Sequence, residues 1–226
     1  MLEESRDRIL RELSDDALVL DIGGWAKPFP RADWVVDMND YATRGLYGTE
    51  GEGEERFSAG TWVQRDVCAR EPLPFDHDQF DFVVCSHTLE DVRDPVHVCA
   101  EIARVGKAGY IETPSRLAEQ SYGFQGPWVG WGHHRWLVEV HGDRIEFVFK
   151  HHVMHGRESD HFPRDFVRTL SERELVETLW WRGSFEFGER ILADAETLDA
   201  YLADYVAAEM ERRGFKRTRR LRLRRR

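Results

Sequence analysis

The 226-residue chain has three cysteines, no apolar stretch near the roughly 20 residues that a bilayer crossing needs, and no Gly-x-Gly-x-x-Gly. Cys68, Cys85 and Cys99 are odd in number, and two of them lie in apolar strand or helix patterns. That argues against a disulfide framework and for a reducing, cytoplasmic setting. The missing apolar run argues for a soluble protein. Residues 1–8 are acidic and lack the basic start and apolar core of an export signal, so export is not expected. Without the three spaced glycines, the usual cradle for a dinucleotide pyrophosphate is missing too. No internal repeat is found.

A 41% apolar content and eight tryptophans fit one folded domain with a real core, and the length excludes two large ones. The charge is uneven. Ten of the 32 basic residues fall in residues 212–226, which hold no acid, so the remaining 22 face all 42 acids. Residues 1–211 are read as the domain, with a helix at each end. Residues 212–226 are read as a basic, disordered tail, suited at most to a weak anionic partner.

Apolar positions at Leu2, Ile9, Leu10 and Leu13 predict a leading helix. Leu18 to Ile22, Asp33 to Asp37, Trp62 to Val67 and Asp81 to Ser86 predict strands. Asp94-Pro95 opens a helix through Val105, and Tyr110 to Thr113 resumes a strand. Helix and strand in alternation predict a doubly wound, mostly parallel α/β sheet with crossover helices. Residues 144–150 and 184–187 alternate strongly and are expected to form an antiparallel edge pair. Ser171 begins a capping pattern for another helix, and residues 193–213 predict the last one. Residues 41–60, rich in glycine and glutamate, read as a mobile loop or weak helix near the second strand.

In such a sheet, ligands sit beyond the carboxyl ends of the strands. Four of those ends are polar: Asp21 with Gly23 and Gly24, Asp37, Asp66, and Ser86 with His87. Glycines let a backbone approach a ligand closely, and a carboxylate after the second strand can accept from ribose hydroxyls. The ordered series points to a nucleoside-containing cofactor.

These segments, with Phe80 to Val92 and Glu101 to Pro114, resemble the class I S-adenosylmethionine-dependent methyltransferases, in particular their type 11 branch. The resemblance spans roughly residues 15–115. It implies a Rossmann-like fold and S-adenosyl-L-methionine as cofactor. It also implies Gly23 and Gly24 against the cofactor's amino-acid part, and Asp37 on the ribose with Met38 beside it. Asp66 and Val67 are then at the adenine, and Ser86 and His87 at the methionine end. One departure is visible: Trp25-Ala26-Lys27-Pro28-Phe29 follows Gly24 where the family has a third glycine.

Beyond residue 115 the substrate should be chosen. Residues 123–136 combine aromatics, glycines and imidazoles like a pocket wall, and His133, His134 and His87 are candidate bases for an O or N acceptor. The acceptor is expected to be a small molecule or glycan. His151, His152, His155, Asp160 and His161 invite a metal reading, but their spacing is loose and none is assigned. Two rivals remain at this level: an NAD-dependent oxidoreductase on the same fold, and a nucleic-acid binder using the tail.

Overall fold

The computed structural model describes residues 1–51 and 53–215. In chain order it contains α1 (Glu3–Glu12), β1 (Val19–Ile22), β2 (Trp34–Asp37), β3 (Trp62–Gln64), β4 (Phe82–Ser86), α2 (Pro95–Val105), β5 (Ala108–Pro114), α3 (Arg116–Glu119), β6 (Trp136–His141), β7 (Arg144–Phe149), β8 (Val176–Arg182), β9 (Glu186–Glu189) and α4 (Ala195–Arg212). Six strands form the main sheet in the order β3-β2-β1-β4-β5-β8. All its neighbours are parallel except β8, which runs antiparallel to β5 at the edge.

Alternation along the central strands sends side chains to two cores. Leu20, Ile22, Val83, Cys85 and Ile111 meet Val98, Ile102 and Val105 of α2 on one face. Val19, Val35, Val84 and Tyr110 meet Ile9 of α1, Phe29, Phe57 and Trp62 on the other. Asp94 caps α2 by accepting from the His97 amide at 3.1 Å, with Pro95 in the first turn, as the Asp-Pro pair predicts.

Three expectations need correction. Crossover helices are mostly missing: among the parallel steps only β4 to β5 uses an α-helix, and residues 23–33 join β1 to β2 as irregular chain. Pro28 and Pro30 leave little helix-forming sequence there. The pair at 144–150 and 184–187 does exist, as β7 and β9, but it is parallel and lies in a separate sheet ordered β6-β7-β9. The antiparallel partner of β7 is β6. Alternation reveals which face is buried, not which strand lies alongside. Ser171 does form a capping box with Glu174, yet it closes one 3-10 turn before β8 begins. The following Val176, Thr178, Trp180 and Trp181 favour a strand over a helix.

The predicted last helix is α4, capped by Asp194, whose side chain accepts from Thr197 N at 2.8 Å. Arg212 and Arg213 are bound at its end to Glu209, and Arg213 also to Glu174. The rest of the basic tail, residues 216–226, lies outside the described residues. No helix among the described residues is long and apolar enough to cross a membrane.

Candidate functional site

A cavity of about 860 Å³ opens over the carboxyl ends of β1, β2, β3 and β4. Asp21, Gly23, Gly24, Asp37, Met38, Asp66, Val67, Ser86, His87, His133 and His134 all line it. The four polar strand ends therefore face one space.

Gly23 has φ +80, and a Cβ there would lie 2.1 Å from Thr88 Oγ1. A Cβ on Gly24 would lie 2.2 Å from Asp21 Oδ2. Both glycines are thus required by the turn's own packing as well as by any ligand above it. Asp21 Oδ2 accepts from the Phe29 amide at 2.9 Å, which folds the chain back toward β2 without a helix. Burial pushes the Asp21 carboxyl up to about 7, against that amide. The absent third glycine follows from this path, since its usual service is close helix-to-strand packing and no helix stands here.

Asp37 Oδ1 accepts from the Asn39 amide at 2.8 Å and from its side chain at 3.1 Å, and Oδ2 accepts from Trp25 N at 3.2 Å. A carboxylate takes about four donors, so one position on Oδ2 stays open for a hydroxyl. A two-point grip on a ribose needs the Asn39 side chain to move away. Asp66 accepts from Cys68 N at 2.9 Å and pairs with Arg93 at 3.0 Å. Ser86 Oγ is buried with no hydrogen-bond partner. One open acceptor position, two bare glycine carbons and an unpartnered hydroxyl in a single cleft fit a nucleoside cofactor.

His87 ends β4 in a left-handed conformation, φ 54, a setting in which non-glycine residues concentrate at functional sites. Its Nε2 lies 3.1 Å from Glu112 Oε1 and its Nδ1 lies 3.6 Å from Glu90 Oε1. Burial opposes the charge, but these two carboxylates outweigh it and raise the imidazole to about 9. Burial likewise works against the Glu112 carboxylate, yet His87 and other donors hold it down at about 2. At neutral pH His87 is an imidazolium, so it cannot accept a proton as a general base.

His134 is differently placed. Its Nδ1 contacts Glu119 Oε1, while Glu119 Oε2 takes Lys150 Nζ at 2.6 Å. Lys150 also donates to the Trp131 carbonyl at 2.7 Å. Glu119 is fully buried, and the Trp131 ring stacks on His134 at 5.0 Å. A carboxylate only accepts, so Nδ1 carries the hydrogen and Nε2 is the nitrogen able to take a proton. His133, edge-on to His134 at 4.5 Å, is exposed.

Residues 41–51 and 53–60 form a wall. Gly45 N, Tyr47 N and Glu50 N donate to the carbonyls of Trp25, Ala26 and Pro28 at 2.8–2.9 Å, and Leu46, Tyr47 and Glu50 line the cavity. Glu50 in turn pairs with Lys27 at 3.2 Å. The glycines had suggested a mobile loop, but three backbone bonds and buried Phe57 anchor it.

Sequence reading missed Glu90, Glu112, Glu119 and Lys150. Glu90 and Glu112 stood in quoted segments, without a role assigned to either. The metal-suggestive histidines serve loops: His151 Nδ1 accepts from Val153 N, and His155 Nδ1 from Val129 N. Among the described residues no group of three or more His, Cys, Asp or Glu is placed to hold a metal ion. The dinucleotide alternative loses its anchor, because no helix N-terminus follows β1 to meet a pyrophosphate.

Residues 35–111 match a family described as a methyltransferase domain. Among solved structures, the chain is similar to the YcgJ protein of Bacillus subtilis, with 21% identity and a TM-score of 0.38, over 50% of this chain and 52% of that one. It is also similar to an S-adenosylmethionine-dependent methyltransferase of Mesorhizobium loti, with 15% identity and a TM-score of 0.38, over 65% and 63% of the two chains. The chain thus spans about half the length of the first of these. Among curated proteins, none matches it. The family match covers β2 through most of β5, and so three of the four strands, β2, β3 and β4, whose carboxyl ends open on the cavity. Residues 35–111 thus match a methyltransferase domain, within a mixed α/β fold whose central sheet is mostly parallel.

Proposed function

We propose that the protein transfers a methyl group from S-adenosylmethionine to an O or N atom of a small-molecule or glycan acceptor. The observation that carries this reading is the convergence of Asp21, Asp37, Asp66 and Ser86 on one cavity that also receives His134. The cofactor, when bound, supplies a sulfonium-activated methyl carbon and leaves as S-adenosylhomocysteine.

The chain's own residues do the rest. Asp37 and the glycine turn hold the nucleoside side, and the wall at Leu46, Tyr47 and Glu50 excludes water from it. His134 removes a proton from the acceptor through Nε2. Glu119 fixes the ring's tautomer and stabilises the imidazolium that forms. Lys150 donates to Glu119 and ties it to the Trp131 carbonyl. Alignment of acceptor and methyl carbon supplies most of the rate, and the base adds to it.

Titration with S-adenosylhomocysteine tests the reading, because Trp25 and Trp131 line the cavity and report binding by fluorescence. Quenching by S-adenosylhomocysteine and none by NAD is expected. Asp37→Ala should weaken that binding about 10- to 100-fold, the worth of a charge-assisted hydrogen bond. Unchanged affinity in Asp37→Ala would remove the ribose assignment.

A further inference from the structure

We propose that the acceptor is an amine, held through its cationic nitrogen by the Glu90 carboxylate and deprotonated by His134. This rests on the methyl-transfer reading above.

Glu90 lines the cavity, is 1% exposed, and accepts no hydrogen bond at either carboxylate oxygen. Its nearest cation, His87 Nδ1, is 3.6 Å away, while the other His87 nitrogen is committed to Glu112. Both of its oxygens lack the donors that a buried carboxylate needs, and leaving them so is costly. The acids at the strand ends have found donors: Asp21 has Phe29 N, Asp37 has Trp25 N and Asn39, and Asp66 has Cys68 N. Glu90 lacks such donors, and it borders the cavity with both oxygens buried.

The backbone explains its direction. The Glu90 carbonyl accepts from Arg135 N at 2.8 Å and from Trp136 N at 3.2 Å, so the segment after β4 is bonded to the loop carrying Trp131 and His134. A carboxylate and a base are thereby presented to one cavity by two joined segments. The strongest donor for a buried, ionised carboxylate is itself charged. His87 is shared between Glu90 and Glu112, and Glu112 also takes the N-terminal ammonium at 3.4 Å. Trp131 adds an aromatic face beside them, suited to a cation or to the organic body that carries it. Before the tail, the excess of acids attracts cations and repels anions.

An ammonium has no lone pair with which to attack. Its proton passes to His134 Nε2, and the freed pair forms the nitrogen–carbon bond. The carbon–sulfur bond breaks with its pair going to sulfur, and the imidazolium proton returns to solvent. Charge and atoms balance as amine cation plus sulfonium giving methylated amine cation, thioether and one proton.

Calorimetry on the S-adenosylhomocysteine-saturated protein tests this with three probes sharing one body: phenethylamine, 2-phenylethanol and phenylacetate. The amine is expected to bind at least about tenfold more tightly than either other probe. Glu90→Gln should remove that preference, keep S-adenosylhomocysteine affinity within about twofold, and leave the alcohol unchanged. Glu90→Asp, which keeps the charge at shorter reach, should retain the order amine over alcohol at reduced amine affinity; this variant carries the test if Gln melts early. Alcohol or acid binding as tightly as amine, none of the three binding, or a Gln variant that still prefers the amine overturns the proposal. So does a folded Gln variant that loses S-adenosylhomocysteine, since Glu90 would then serve the cofactor. If the wild type binds no S-adenosylhomocysteine, methyl transfer itself fails; binding without amine preference sinks only the acceptor class.

Discussion

On the β1–β3 side of the cavity the carboxylates bind backbone amides close in sequence: Asp66 takes the amide two residues on, Asp21 the one eight on, and Asp37 those of Asn39 and Trp25. On the β4–β6 side the partners are charged side chains from distant segments. Glu119 binds His134 fifteen residues away and Lys150 thirty-one away, and His87 binds Glu112 across twenty-five. The first side is shaped as its loops close. The second exists only when β4, α3 and β7 are already packed, and there a lost partner strands a buried charge.

Three changes would break or sharpen that contrast. The largest effect is expected from His134→Ala, which should lower turnover by about 10²–10⁴-fold while S-adenosylhomocysteine affinity is kept. Steady-state kinetics beside a binding titration checks it, and unchanged turnover would make His134 a bracing residue only. Next, Glu119→Ala should cost about 3–5 kcal/mol of stability by leaving Lys150 unpaired in a buried position, as read by denaturant unfolding. A loss near that of a surface pair would erase the distinction between the two sides.

The smallest effect concerns pH. His87 is raised from 6.5 to about 9 in the folded protein, so its stabilising contribution is full below about 6.5 and fades as pH rises toward 9. With its side chain 42% exposed, solvent screening reduces this to about 1 kcal/mol. Thermal melts from pH 6.5 to 9 should show that decline, and His87→Gln should flatten it.

Much of the first side was legible in the sequence. Apolar runs ending in Asp21, Asp37, Asp66 and Ser86 placed those residues at strand ends, and Asp94-Pro95 announced α2 with its cap. The connections were not legible. Residues 23–33 carry two prolines and an aspartate-bound turn instead of a helix, because the Asp21–Phe29 bond does the folding back. Nor was the small sheet, whose strand at Trp136–His141 follows directly on a loop of glycines and imidazoles. Glu119 and Lys150 stand in segments with no motif, and nothing in their spacing from His134 marks them as its partners.

The sequence by itself determined the sheet-forming runs, the polar strand ends and the glycine turn, because each depends on neighbours a few residues away. Only the tertiary structure decided which histidine meets the buried Glu119, which carboxylate lacks a donor, and how β7 and β9 align. Those outcomes depend on desolvation and on charges meeting across the fold, and neither is written into local spacing.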